Sequence, residues 1–388
     1  MSQFNQLAKM DFSRHILAQI IDKTTSNKVL IVYGARRVGK THLMKAVEGQ
    51  FIGKSLFLNA EDLDTVTLLS DRRVAAYRRW VDDVDLLIID EAQVVPEIGK
   101  SLKLLIDSFP KLTILASGSS AFELSNKTGE PLVGRQIRFQ LFPIAQMELS
   151  KEENYLVTKQ QLETRLIYGS YPEVLKNATA EAKTDYLKEL VSAYLLKDIL
   201  MFEQVRYSHK MLQLLQLVAY QTGQEVSYDE LSKTLQIDRN TVERYLDLFS
   251  KVFIITRIGG YSKNLRKEVT KSSKWYFLDN GIRNALINNF LPMNQRTDTG
   301  ALWENYLVAE RLKYNSYTRK TPLTHFWRTY DQQELDWLEI ADDQLSAYEF
   351  KWKDTKVKFP KAFQEAYPDA AKHWVNQENF IDFVTGEI

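Results

Sequence analysis

The sequence predicts an α/β chain in three parts: a doubly wound parallel sheet at the front, a helix-turn-helix region in the middle and an α+β domain at the C-terminus. Three observations carry that expectation. An apolar strand, a glycine-containing loop and an amphipathic helix follow one another over residues 28–47. Strand-like and helix-like runs then alternate as far as residue 143, the pattern of parallel strands joined by crossover helices. From residue 207 the pattern changes to short helices with tight turns, and later to three alternating strand-like runs.

Length and composition narrow the classes. A chain of 388 residues is too long for one ordinary core, so two or three domains are expected. The formal net charge is +1, so any contact with a polyanion must come from a local patch. There is no cysteine, which excludes disulfides, thiolate zinc sites and thiol nucleophiles. The five histidines do not cluster, leaving carboxylates as the metal ligands to look for. The N-terminal stretch "MSQFNQLAKMDF" lacks a secretory pattern, and no apolar run approaches the roughly 20 residues of a membrane helix. The expectation is a cytoplasmic protein with no membrane contact.

The front part carries the strongest motif. "KVLIVYGARRVGKTHLMKAV" (28–47) contains G-x-x-x-x-G-K-[ST], the P-loop pattern, over Gly34, Ala35, Arg36, Arg37, Val38, Gly39, Lys40 and Thr41, with His42 following. Glycines let backbone N–H groups turn inward around phosphates, and the next helix offers its N-terminus to the anion. Lys40 would reach the β- and γ-phosphates of ATP, and the Thr41 hydroxyl would ligate Mg²⁺. "DVDLLIIDEAQ" (83–93) reads as a strand buried on both faces, ending in Asp90 and Glu91. Asp90 would hold Mg²⁺ through water, and Glu91 would polarise the attacking water; the bland alternative is an acid pair capping a helix. "LFLNAED" (56–62) and "KLTILASGSS" (111–120) supply further strands. Ser119 or Ser120, with Glu123 following, fits a helix N-cap.

"GARRVGKT", "LLIIDEAQ", "ILASGSS", "PLVGRQIRFQLFPIAQMEL" (131–149) and "YGSYPEVL" (168–175) occur in an order that resembles the bacterial and archaeal AAA-type ATPases related to the STAND group. The likeness runs from about residue 14 to the end. It implies a P-loop ATPase core over 1–144 and a helical lid over 145–205. It implies that Ser117 senses the γ-phosphate, although a structural duty fits that serine equally. It makes Arg135 the arginine that contacts nucleotide charge, in cis or from a neighbouring subunit of a homo-oligomer. Arg36 matches the loop pattern G-x-R-x-x-G-K-T, with pairing to an acid as the alternative.

Residues 206–287 read as a winged helix. "KMLQLLQLVAYQTG" (210–223) has helical spacing and stops at Gly223, "SYDELSKTLQI" (227–237) opens on a capping box, and "DRNTVERYLDLFSKVFII" (238–255) opens on Asp238 and runs into a strand. "KWYFLDNGIRNALI" (274–287) reads as the returning strand and a closing helix. Arg239, Asn240 and Arg244 would face double-stranded DNA. The wing carries Arg257, Lys263, Arg266, Lys267, Lys271 and Lys274 against one acid, Glu268, a stripe suited to phosphates. Glu243 and Asp247 on the same helix work against that contact.

Residues 288–388 open with a polar linker and continue as a helix (300–315), strands at 324–330, 334–340 and 345–353, and a helix at 361–372. This order resembles the PD-(D/E)XK, restriction-endonuclease-like fold. Its signature falls on Asp336, Glu349 and Lys351, with Glu304 on the preceding helix. Period two puts Glu349 and Lys351 on one face. Carboxylates there would gather Mg²⁺ on a scissile phosphate. A leucine, Leu335, stands where the signature has proline, and a plain ion-pair network is the alternative. The leading functional reading is an ATP-hydrolysing switch that binds DNA and carries a nuclease-like C-terminal domain, with Mg²⁺-dependent cleavage left open. One alternative makes the C-terminal modules protein-interaction surfaces without cleavage; another is a nucleotide-regulated transcriptional regulator.

Overall fold

The computed structural model describes residues 12–118, 132–195, 208–261, 273–329, 331–354 and 357–387. The chain divides into two compact units: a front unit of Asp11–Phe142 with Lys251–Phe253, and a C-terminal unit of Pro143–Ser250 and Ile254–Ile388.

In the front unit, helix α1 (Ile16–Asp22) precedes strand β1 (Val29–Tyr33) and helix α2 (Lys40–Gln50). Then come β2 (Ser55–Asn59), α3 (Leu63–Ser70), α4 (Val74–Val81), β3 (Leu86–Asp90), α5 (Ile98–Ser108), β4 (Thr113–Gly118) and β5 (Gln136–Gln140). The expected parallel sheet is present: five strands in the order β2-β3-β4-β1-β5, every pair parallel. "VLIVY", "LLIID" and "TILASG" are apolar almost throughout because helices cover both faces of β1, β3 and β4. The sheet order places the loops after β1, β3 and β4 side by side at the strands' C-terminal ends.

The C-terminal unit begins with α6 (Gln146–Leu149), α7 (Tyr155–Tyr168), α8 (Pro172–Lys176), α9 (Ala180–Glu189) and a π-turn over Leu190–Leu195. It continues with α10 (Ser208–Tyr220), β6 (Glu225–Val226), α11 (Tyr228–Leu235), α12 (Arg239–Lys251), β7 (Ile255–Gly260), β8 (Ser273–Phe277) and α13 (Asn280–Leu286). Ser227 caps α11 by accepting from Glu230 N–H, and Asp238 caps α12 by accepting from Asn240 and Thr241 N–H. Then follow α14 (Thr299–Tyr317), β9 (Leu323–Arg328), β10 (Glu334–Ala341), β11 (Gln344–Phe350), α15 (Lys361–Ala366), β12 (Ala371–Val375) and α16 (Phe380–Thr385).

One seven-stranded sheet runs through this unit, in the order β12-β11-β10-β9-β7-β8-β6. Strands β6 to β8 pair antiparallel, and so do β9 to β11; β7 joins β9 in parallel through Gly259–His325 and Gly260–Phe326. The expected boundary at 287/288 therefore lies inside a continuous sheet. The expected boundary at 205/206 also crosses packed structure. Leu162, Leu166 and Ile167 of α7 share a core with Leu302, Trp303 and Leu307 of α14 and with Trp337 and Phe383.

Asp279 links two of the quoted motifs. Its carboxylate caps α13 by accepting from Gly281 and Ile282 N–H, and it also accepts from Ser170 N–H at 2.7 Å. This ties "YGSYPEVL" to "LDNGIRNALI". Burial pushes the Asp279 carboxyl up to about 6.

The helix expected over 361–372 is a correction. It stops at Ala366, shortly before Pro368, which cannot continue it, and residues 371–375 become β12, parallel to β11. No described helix is long and apolar enough to cross a membrane.

Candidate functional sites

The loop after β1 is built around close backbone approach. A Cβ on Gly34 would lie 2.1 Å from the Leu141 carbonyl oxygen, and Leu141 N–H is itself bonded to Tyr33 O at 2.7 Å. Gly39 starts α2 at φ 98°, a conformation that only glycine holds easily. Gly34→Ala is therefore expected to destabilise the front unit by about 2 kcal/mol, since backbone must yield to the methyl. An unchanged thermal midpoint would count against that packing.

Lys40 is 5% exposed, and its ammonium donates to the Gly34 and Ala35 carbonyls at 3.1 and 3.0 Å. It thus lies along the inner side of the loop that would surround phosphates. Ala35 and Val38 are buried, Arg36 is half-buried, and Arg37, Thr41 and His42 are exposed. Arg37 takes a positive φ of 64°.

The end of β3 meets this loop directly. The Thr41 hydroxyl donates to Asp90 Oδ2 at 2.6 Å, and the Ser117 hydroxyl donates to Asp90 Oδ1. Glu91 N–H donates to Ser117 Oγ at 3.0 Å, while Gln93 Nε2 donates to the Glu91 carboxylate. A hydroxyl and a carboxylate oxygen converging at the start of α2 fit Mg²⁺, which takes one or two protein ligands beside phosphate oxygens and water. Ser117 fixes the Asp90 carboxylate and the Glu91 backbone at once.

Sequence reasoning missed Arg14. Its guanidinium is buried and donates to Val38 O at 2.7 Å and Phe142 O at 2.6 Å, tying the phosphate-type loop to the end of the unit. Two carbonyl acceptors leave no sequence signal. Arg135 departs from its expected place for a contact within the chain. It precedes β5, where Val29 N–H bonds its carbonyl at 2.8 Å, so it sits at the start of β1. The loop lies at the other end of that five-residue strand, roughly 13 Å along it. Arg135 pairs there with Asp107 at 2.8 Å, both half-exposed.

Residues 26–150 match the AAA domain family. This part of the chain is an AAA-type P-loop ATPase domain. The match and the loop geometry support ATP binding and hydrolysis here. Residues 159–292 match a domain of unknown function (DUF8612), and 299–386 another (DUF4143). Among relatives, an uncharacterized protein of Methanocaldococcus jannaschii is 23% identical over 375 residues, covering 91% of this chain and 82% of its own. The chromosomal replication initiator protein DnaA of a Thermotoga species is 24% identical over 282 residues, covering 68% of this chain and 58% of its own. The Walker-type ATPase of Pyrococcus abyssi shares the fold at a TM-score of 0.52 and 16% identity, over 71% of this chain and 96% of that one.

Beyond the ATPase domain, the expected DNA face lies on α12. Val242, Tyr245 and Leu246 are buried, whereas Arg239, Asn240, Glu243, Arg244 and Asp247 are exposed. Arg239 lies 3.7 Å from Asp229. Lys263, Arg266, Lys267, Glu268 and Lys271, like Ser119, Ser120 and Glu123, lie outside the described residues.

A correction concerns Lys274, expected in the basic stripe. It is 1% exposed on β8, where its ammonium lies 3.0 Å from Glu304 Oε1 and also contacts Glu334. Burial alone would lower its pKa, but the charges of Glu304, Asp336 and Glu334 outweigh that and hold it above the usual lysine value.

Around Lys274 the structure gathers all four residues expected from the nuclease-like signature. Asp336 and Glu349 face one another on the antiparallel pair β10 and β11, next to the registered pair Trp337–Tyr348. Asp336 Oδ2 accepts from Phe350 N–H at 2.7 Å, and Lys351 Nζ donates to Glu349 Oε1 at 2.6 Å. The Tyr276 hydroxyl donates to Glu304 at 2.6 Å. Glu349 Oε2 is buried without a hydrogen-bond partner. Burial pushes Glu304 up to about 7; for Glu349, burial and then the charge of Asp336 give the same result. Among the described residues, no three His, Asp or Glu side chains are placed to hold a metal ion. Sequence reasoning missed Tyr276 and Glu334, and misplaced Lys274, because side chains of β8, α14 and β10, far apart in sequence, meet there without a local pattern.

Proposed function

We propose that the chain is an ATP-hydrolysing switch that engages double-stranded DNA through α12 and the segment following β7. In the front unit, Lys40 holds the β- and γ-phosphates, with backbone N–H groups of residues 34–42 around them. Thr41 and Asp90 hold Mg²⁺, which supplies charge neutralisation at the phosphates. Glu91, on the residue after Asp90, orients the attacking water. Ser117 either senses the γ-phosphate or serves only to hold Asp90 and Glu91. Arg135 acts on nucleotide from a second copy, since its own loop is out of reach.

The observation that carries the DNA reading is the capped, exposed start of α12. Arg239, Asn240 and Arg244 project from positions where the helix buries only Val242, Tyr245, Leu246, Leu248 and Phe249. The relation to a protein named as a chromosomal replication initiator points the same way. Glu243 and Asp247 oppose nonspecific phosphate contact, which favours a base-directed approach by the helix start. Replacing Arg239 and Arg244 together by alanine is expected to weaken duplex binding roughly tenfold at low salt and to lower the salt slope by about one to two. Fluorescence anisotropy against salt, with ATP and with ADP, measures both. An unchanged affinity and slope would remove α12 from the interface.

A second reading keeps the ATPase switch and makes the C-terminal modules protein-interaction surfaces without cleavage. The position of Lys274 among the carboxylates favours it over a Mg²⁺-dependent nuclease at Glu304, Asp336, Glu349 and Lys351.

A further inference from the structure

The nuclease-like arrangement asks for a divalent ion among Glu304, Asp336 and Glu349. Opposite-charge density is already present there, supplied by the chain. The Lys274 ammonium sits 3.0 Å from Glu304 Oε1 and in contact with Glu334, with almost no exposure. Three elements meet on it: β8 carries the lysine, α14 carries Glu304 and β10 carries Glu334. Tyr276, two residues on and on the same face of β8, adds a hydroxyl donor to the same Glu304 oxygen at 2.6 Å. A metal that used Glu304 would share its carboxylate with both of these donors and sit as a dication beside a buried ammonium, an arrangement that low-dielectric surroundings make costly. On the other side, Lys351 holds Glu349 Oε1 at 2.6 Å and Asp336 is committed to the Phe350 N–H. Each acidic residue of the signature thus has one oxygen held by a donor from the chain itself, while Glu349 Oε2 stays buried with no hydrogen-bond partner.

We propose that Lys274 is the resident cation of this cluster and excludes a divalent metal from it, so that the C-terminal unit does not cut DNA. This rests on the reading of Glu304, Asp336, Glu349 and Lys351 as one nuclease-like constellation. The lysine does two things at once: it neutralises Glu304 and Glu334, and it fastens β8 to α14 and β10. The cluster is then a fixed ionic joint in the shape of a catalytic site.

The test titrates Mn²⁺ into the full chain without nucleotide, reading bound metal by electron paramagnetic resonance, for wild type, Asp336→Asn, Lys274→Gln and the double variant. Wild type and Asp336→Asn are expected to bind the same amount. Lys274→Gln is expected to gain about one Mn²⁺ per chain, and the double variant to lose it. A wild-type Mn²⁺ that disappears in Asp336→Asn overturns the proposal and leaves the nuclease reading standing. A folded Lys274→Gln protein that gains no metal also overturns it, and takes the nuclease-like reading of the cluster with it. Should Lys274→Gln fail to fold, the comparison of wild type with Asp336→Asn decides. Plasmid nicking with Mn²⁺ gives a separate readout, expected to be absent in wild type. Nicking by wild type that Glu349→Ala abolishes overturns the proposal.

Discussion

Lys40→Ala reduces ATP turnover to background, a loss on the order of 10²–10³-fold, while the front unit keeps its fold. The reasoning begins with the loop. Lys40 is buried against the carbonyls of Gly34 and Ala35, so its charge is already within the curve that would hold the phosphates. Phosphoryl transfer gains almost all its acceleration from positioning and charge stabilisation, and one preorganised donor contributes about that factor. Alanine removes the charge and leaves the neighbouring contacts intact: Thr41 with Asp90, Asp90 with Ser117, and Arg14 with Val38. Phosphate release measures the effect, and circular dichroism checks the fold. Unchanged turnover would remove the loop from the reaction.

Lys274→Ala lowers the stability of the C-terminal unit by about 3–5 kcal/mol, the range found when one partner of a buried pair is removed. Glu304 and Glu334 lose their counter-charge together, and β8 loses its ionic link to α14 and β10. Lys159→Ala provides the contrast. Its pair with Glu378, at 2.6 Å, is shorter than the 3.0 Å between Lys274 and Glu304, but Glu378 is 64% exposed, so its loss should be hard to detect. Urea unfolding followed by tryptophan fluorescence reads both variants, because Trp303 and Trp337 are buried in this unit. Equal midpoints for the two variants would show that Lys274 does not hold the sheet to α14.

The front unit was largely legible because its signals are local. Strands buried on both faces read as apolar runs, and the phosphate loop fixes the residue type at four of eight consecutive positions. What stayed hidden depends on groups far apart in sequence. Arg14 grips Val38 and Phe142 through carbonyls, which every residue possesses. The place of Arg135 follows from strand register, because "VGR" says nothing about which end of the sheet it occupies. In the C-terminal unit, Asp336, Glu349 and Lys351 are picked out by the resemblance to the nuclease-like signature, and period two adds only that Glu349 and Lys351 share a face. Lys274 reads as part of a basic surface because it closes a run of basic residues in the sequence; only its packing against Glu304 of α14 and Glu334 of β10 turns it inward. The helix expected over 361–372 overruns the observed one by six residues, two of them in β12, and the edge pairing with β11 that makes Ala371 and Lys372 strand is a tertiary property.

The junction of β7 with β9 has a consequence for dissecting the molecule. Two residue pairs, with a further bond from Tyr261 N–H to Phe326 O at 2.7 Å, weld the three strands β6 to β8 to the four strands β9 to β12. Cutting the chain at the polar stretch before α14 would look natural on the sequence, yet it would strip both halves of a hydrogen-bonding neighbour. Each fragment would present a raw strand edge lined by Ile258 or Phe326, the kind of surface that recruits foreign strands and precipitates. Expression of either piece alone would then report on aggregation more than on function, and the two parts have to be inherited, produced and assayed as one.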